Sequence, residues 1–253
     1  MLTVENLRHA YSPERTAIAE LSFSVSAGEF VAIVGPSGCG KTTLLKAVAG
    51  LIKPTAGTIK LQETVISGVP EGLAMVFQEY SRSLMPWLTV HANAALPLHY
   101  KPIDRAERES RVNKSLEAVG LSAAREQYPW QLSGGMQQRV AIARALAYEP
   151  KVLLMDEPFA SVDAQTRADL EDLVADVQHR FSMTILMVTH DIDEAVYLAD
   201  RVVVLSAPPS RILATIPVRI PRPRDQVSTR ASEQFVTLRS EVAKLIRRPG
   251  AVT

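Results

Sequence analysis

A chain of 253 residues suffices for one large domain, or one domain with a small appendage, and it can bury a stable core without disulfide support. Hydrophobic residues at 47% and charged residues at 22% are an ordinary globular balance, which argues against disorder, collagen or coiled coil as the main architecture. With 28 Lys and Arg against 27 Asp and Glu, the net charge of +1 gives no bulk electrostatic case for a nucleic-acid partner, and none is expected.

Cys39 is the single cysteine, so no internal disulfide is possible, nothing suggests structural zinc, and a reducing compartment is expected. Met1 to Asn6 hold no basic segment followed by an apolar stretch, and no uncharged apolar run approaches membrane-spanning length. Any membrane role is therefore expected from outside the bilayer.

In chain order, Leu21, Phe23 and Val25 alternate as in a half-buried strand, and Phe30 to Val34 form a continuous apolar run, as in a strand buried on both faces. Directly after it, Gly35-Pro36-Ser37-Gly38-Cys39-Gly40-Lys41-Thr42 fits G-x-x-x-x-G-K-[ST], and Leu44 to Ala49 read as the helix that should follow. The glycines let the backbone curl so that N–H groups converge on phosphate oxygens, while the helix aims its positive end at the same place. Lys41 adds charge for the β and γ phosphates, the Thr42 hydroxyl is a hard ligand for Mg²⁺, and Thr43 follows in the same turn as a further nucleotide contact. Cys39 reads as a small residue filling the loop; the sharper reading is a thiol made reactive by the helix N-terminus and shielded by ATP.

Gln78 ends the run Ala74 to Phe77, where its amide can reach metal or an attacking water. The stretch Tyr80 to Leu98 is apolar enough that Met85, Trp87 and Leu88 form either a groove for a partner helix or a local mini-core. Asp104 with Glu107 reads as a capping box opening a helix through Val112, Leu116 and Val119, which Gly120 ends. This segment looks like a helical insertion.

Val152 to Met155 are another buried strand, ending in Asp156 and Glu157 at the carboxyl edge where α/β sheets place their ligands. Asp156 suits the Mg²⁺ shell and Glu157 the general base that accepts a proton from attacking water. Leu170, Leu173, Val174 and Val177 mark a helix, Ile185 to Val188 the next strand, and His190 stands just beyond it, positioned to sense the γ phosphate. Val202 to Leu205 form a further strand. Strand, helix and strand alternate, so the class is α/β with parallel crossovers. Pro217, Pro221 and Pro223 forbid helix, Arg219, Arg222 and Arg224 read as a solvated linker rather than a lipid contact, and Phe235 to Ile246 form an amphipathic helix behind Ser232.

Leu132-Ser133-Gly134-Gly135-Met136-Gln137-Gln138-Arg139, taken with the Gly35 loop, Gln78, Asp156-Glu157 and His190 in this order, resembles the nucleotide-binding subunit of an ATP-binding cassette (ABC) transporter over essentially the whole chain. The resemblance implies a P-loop cassette with a predominantly parallel core sheet, an antiparallel β subdomain and a helical insertion. Core segments would be 1–78 and 150–211, the helical signature subdomain 79–149, and a C-terminal appendage 212–253. It further implies that Ser133, Gly134, Gly135 and Gln137 bind the ATP held by a second copy, that Tyr11 stacks on adenine, and that Asp163 crosses the dimer interface. Ala160-Ser161-Val162 departs from the family pattern before Asp163.

A free-standing cassette resembles importer subunits. Val76-Phe77-Gln78-Glu79, Leu84 to Val90, Arg201 to Pro208 and Pro221 to Arg224 are similar to the nitrate, sulfonate and taurine branch. The partners so implied are a second copy, a membrane permease at the cytoplasmic face and, indirectly, a substrate-binding protein. Rival readings are a soluble cassette ATPase acting on DNA or ribosomes, a small-molecule kinase, which leaves Leu132 to Arg139 unexplained, and a nucleotide-dependent regulatory subunit without turnover.

Overall fold

The computed structural model describes residues 1–247; the last six residues of the expected appendage lie outside the described residues. In chain order the strands and helices are β1 (Leu2–Ser12), β2 (Arg15–Val25), β3 (Phe30–Val34), α1 (Lys41–Val48), β4 (Ala56–Leu61), β5 (Thr64–Val65), β6 (Leu73–Val76), α2 (Tyr80–Ser83), α3 (Val90–Ala95), α4 (Arg105–Ala118), α5 (Gly134–Ala147), β7 (Val152–Asp156), α6 (Ala164–Phe181), β8 (Thr184–Val188), α7 (Ile192–Leu198), β9 (Arg201–Leu205), β10 (Ser210–Pro217), α8 (Ser228–Ala231) and α9 (Glu233–Arg247). Among the described residues they form two compact units, 1–71 with 178–247, and 72–177.

In the first unit the strand order is β5-β4-β1-β2-β10-β9-β3-β8. The β5-β4-β1-β2 half is antiparallel, whereas β9, β3 and β8 run parallel. All five side chains of β3 are buried, as its unbroken apolar run requires. The β3 and β8 registers align Phe30 with Ile185 and Ile33 with Val188, so both strands deliver their following loops to one edge. The expected α/β architecture is present.

The tail differs from expectation. The segment taken to begin an appendage near Ile212 starts inside β10, which pairs antiparallel with β9 and parallel with β2. Arg222 and Arg224 are not a solvated linker. Arg222 bonds the Asp200 carboxylate at 2.9 Å, and Arg224 donates to the carbonyls of Val196, Tyr197 and Ala199 at 3.3, 2.6 and 2.9 Å. The physical reason is that α7 ends there: its last carbonyls have no helical partner, and a guanidinium fork supplies donors and positive charge together. Beyond the prolines, Ser232 caps α9 by accepting from Phe235 N–H at 3.3 Å.

In the second unit, β6 and β7 pair in parallel from Leu73 opposite Val152 to Val76 opposite Met155, and α5 packs on β6. Its boundaries therefore take in both strands as well as the helices expected at 79–149. Asp104 caps α4 by accepting from Glu107 N–H at 2.7 Å. Glu107 itself turns to Arg111 at 2.6 Å, so the expected reciprocal box gives way to an i,i+4 ion pair. Gly120 closes the helix: its N–H reaches Glu117 O, and Leu121 N–H reaches Leu116 O, a Schellman ending.

Candidate nucleotide site

The phosphate loop leaves β3 and enters α1 through Gly40, which is left-handed at φ 93° and leaves the helix N-terminus without a side-chain cap. A Cβ there would lie 3.3 Å from Ile18, so both conformation and space select glycine. Lys41 is buried, and its ammonium donates to Gly35 O at 3.0 Å and Pro36 O at 3.3 Å, bending back over the loop. The Tyr11 hydroxyl and Thr43 Oγ1 are 2.7 Å apart, tying the end of β1 to the first turn of α1. The Tyr11 ring stays 56% exposed; the His9 ring stands perpendicular to it with centroids 4.8 Å apart, and the Arg15 guanidinium lies over it at 5.6 Å.

Cys39 is fully buried, and burial pushes its thiol above the ordinary range despite nearby Lys41. Burial and a raised thiol both work against a reactive thiolate and agree with a small residue filling the loop.

On the same edge of this unit, Thr189 N–H bonds Ile33 O at 3.1 Å, and the buried Thr189 hydroxyl donates to Glu194 at 2.6 Å. Asp191 caps α7 by accepting from Asp193 and Glu194 N–H. His190 is exposed between these anchored neighbours.

The remaining candidates lie in the second unit. Asp156 is buried at the end of β7, and Glu157 follows it in a left-handed turn at φ 44°, a conformation that costs a non-glycine residue roughly 1–3 kcal/mol. Gln78 donates from its amide to Glu157 Oε2 at 3.3 Å. Two residues expected to face the attacking water are thus brought together, one of them held in a strained backbone.

Ser133 caps α5, its hydroxyl accepting from Met136 N–H at 3.3 Å. Gln137 does not project from this helix start. Its amide donates to Pro129 O at 3.0 Å and Leu132 O at 3.3 Å, so it braces the preceding turn. Asp163 performs the same local service for α6, accepting from Thr166 N–H at 3.1 Å and Thr166 Oγ1 at 2.7 Å, contacts that hold its carboxyl below the usual range. Sequence reasoning passed over Gln138, which is fully buried and donates to Pro158 O at 2.8 Å. Its spacing from buried Ala141 and Ile142 was the available signal.

A Cβ on Gly135 would lie 2.3 Å from Thr166 Cγ2, so α5 and α6 meet there without room for one methyl group. Gly135→Ala is expected to lose about 1–3 kcal/mol in chemical denaturation, although alanine favours helix. Thr166→Ser removes that methyl while keeping the hydroxyl on Asp163, and should restore most of the loss in the double variant. Independent, additive losses would show that the contact does not limit this position.

The phosphate loop of the first unit, and the paired acids and capped helix of the second, are each parts that an ATP-hydrolysing cassette requires. The family model described as ABC transporter matches residues 18–160, and the chain belongs to that family. It is 46% identical over 229 residues to the aliphatic sulfonates import ATP-binding protein SsuB of Bacillus licheniformis, covering 90% of this chain and 86% of that protein. Among solved structures it is similar to cbiO1 of Clostridium perfringens, part of the ABC transporter complex cbiONQ. That likeness has TM-score 0.79 and 29% identity, over 86% of this chain and 88% of the other. It is also similar to the dimeric ATP-binding cassette MJ0796 in a post-hydrolysis state bound to ADP and Pi. There the TM-score is 0.74 and the identity 31%, over 87% of this chain and all of the other. The protein is an ABC-type ATP-binding subunit and an ATPase, and among the described residues no helix is long and apolar enough to cross a membrane.

Proposed function

We propose that two copies of the chain close head to tail around two ATP molecules, drive a separate membrane permease from its cytoplasmic face, and reopen on hydrolysis. The observation that carries the hydrolytic half is Glu157, held in a left-handed turn at the end of β7 with the Gln78 amide 3.3 Å from its carboxylate. Glu157 accepts a proton from water as the water oxygen bonds to the γ phosphorus, and the bond to the ADP oxygen breaks. Lys41 neutralises phosphate charge, His190 holds the γ phosphate, and Tyr11 stacks on adenine. Thr42, Gln78 and Asp156 supply the oxygen donors for Mg²⁺, which stabilises the charge on the phosphates when bound. This donor set fits the ion: Mg²⁺ is characteristically held by one or two carboxylates together with waters and substrate phosphates, not by an all-protein cage.

The N-terminus of α5, with Ser133, Gly134 and Gly135, is the anion site for the ATP held by the second copy. Asp163 borders the same interface. Trp87 is 70% exposed on a turn braced by buried Asn93, which bonds Met85 and Leu88, and it belongs to the surface that receives the permease. Likeness to a sulfonate importer supports a small organic or inorganic anion of the nitrate, sulfonate or taurine type as cargo, presented by a substrate-binding protein.

ATP-driven pairing is tested by sedimentation of Glu157→Gln with Mg²⁺. The expected result is a dimer with ATP and a monomer with ADP, and loss of the dimer in Ser133→Arg. A monomer at saturating ATP would overturn the sandwich.

A further inference from the structure

The loop that carries Glu157 is attached to α5 by a buried hydrogen bond, from Gln138 Nε2 to the carbonyl of Pro158, the residue next to Glu157. Three features bear on its purpose. Gln138 is fully buried, but its Oε1 has no hydrogen-bond partner, so half of the amide is desolvated without compensation. An apolar side chain of the same volume would avoid that loss, which makes stability alone a poor explanation for an amide here. Glu157 sits at φ 44°, and such a backbone persists only where its surroundings hold it. Finally, α5 is the helix capped by Ser133, so the bond joins its second turn to the turn bearing the base.

We propose that Gln138 is a positioning residue for ATP hydrolysis: its buried amide fixes the Pro158 carbonyl to α5 and thereby holds the Glu157 carboxylate in its working orientation against Gln78. The proposal rests on the reading of Glu157 as general base. Gln138 touches neither nucleotide nor water in this account and acts through the backbone of the next loop. Occupation of the α5 N-terminus by phosphate is then transmitted to Glu157 of the same chain through a single turn of helix.

The test compares Gln138→Met and Gln138→Leu with the unaltered full chain in steady-state phosphate release, with rates normalised to ATP-binding sites. Met keeps the volume and removes the donor; Leu removes it with a branched apolar side chain of similar size, and neither buries a charge. Misplacing a reacting group by about 1 Å costs on the order of 100-fold, so kcat should fall about 10- to 100-fold in both variants. KM for ATP, measured ATP affinity and Tm should stay near those of the unaltered chain. A purely structural role would instead lower Tm or the number of binding sites and leave kcat per site intact, and that result overturns the proposal. Should Gln138→Met fail to fold, Gln138→Leu gives the same split. Glu157→Gln is assayed beside them. If it is inactive while both Gln138 variants turn over normally, the positioning role alone fails; if it hydrolyses ATP normally, the reading of Glu157 fails.

Discussion

Glu157→Gln is expected to bind ATP with unchanged affinity and to release phosphate about 100- to 10,000-fold more slowly than the unaltered chain, the range over which a positioned general base contributes. The substitution keeps the shape of the side chain, and its amide oxygen can still accept from Gln78, which stands 3.3 Å from the carboxylate. What it removes is basicity. Stability should therefore be nearly unchanged, and the loss should appear in kcat rather than in KM. Gln78→Ala should cost less, because in the proposed mechanism Gln78 bonds the base without receiving the proton. The readout is steady-state phosphate release with Mg²⁺, beside equilibrium binding of ATP. A Glu157→Gln chain that hydrolyses within a few fold of normal would remove Glu157 from the chemistry.

The second large effect is one of stability. Arg224 donates to three carbonyls at the end of α7 and to Ile220 O at 3.3 Å, and burial, reinforced by neighbouring Arg222, lowers its guanidinium to about 10. Burying the charge is costly, but removing it leaves several carbonyls without donors, each worth roughly 1–3 kcal/mol when buried. Arg224→Ala is expected to lose about 3 kcal/mol net, a Tm fall on the order of 6–12 °C in a chain of this size. Arg224→Lys should not rescue it, since an ammonium cannot span the same carbonyls as a planar fork. Exposed Arg219→Ala should stay within about 0.5 kcal/mol. Because α7 begins at the Asp191 cap beside His190, ATP turnover should become more heat-sensitive in step with unfolding. Equal Tm values for the Arg224 and Arg219 variants would contradict this account.

Much of the site was legible because local chemistry specifies it. The apolar runs of β3, β7 and β8 read as buried strands, and Gly35 to Thr42, Asp156-Glu157 and His190 stand at their carboxyl ends as expected. The helix over 105–118 was marked at both ends, by Asp104 and Gly120. What sequence did not disclose depends on distant backbone. Arg222 and Arg224 look like solvated charge until their partners, more than 20 residues away in sequence, are known. The left-handed turn at Glu157 has no glycine to announce it. β10 reads as the start of a tail because its side chains alternate between buried and exposed over Ser210 to Pro217, without the continuous run of a central strand. Gln137 and Gln138 are adjacent and chemically identical, and the helix turns one to brace the Pro129 turn and the other into the core. Only the helical phase relative to Ala141 and Ile142 separates them.

Coupling to a permease is tested most directly by purifying a tagged Glu157→Gln chain from gently solubilised native cells with ATP and Mg²⁺ and identifying its stoichiometric companions. The account predicts a multi-span membrane permease, retained with ATP. Recovery of only an ATP-bound dimer, or of ribosomal or DNA-associated proteins, under conditions that preserve a known permease complex would contradict it.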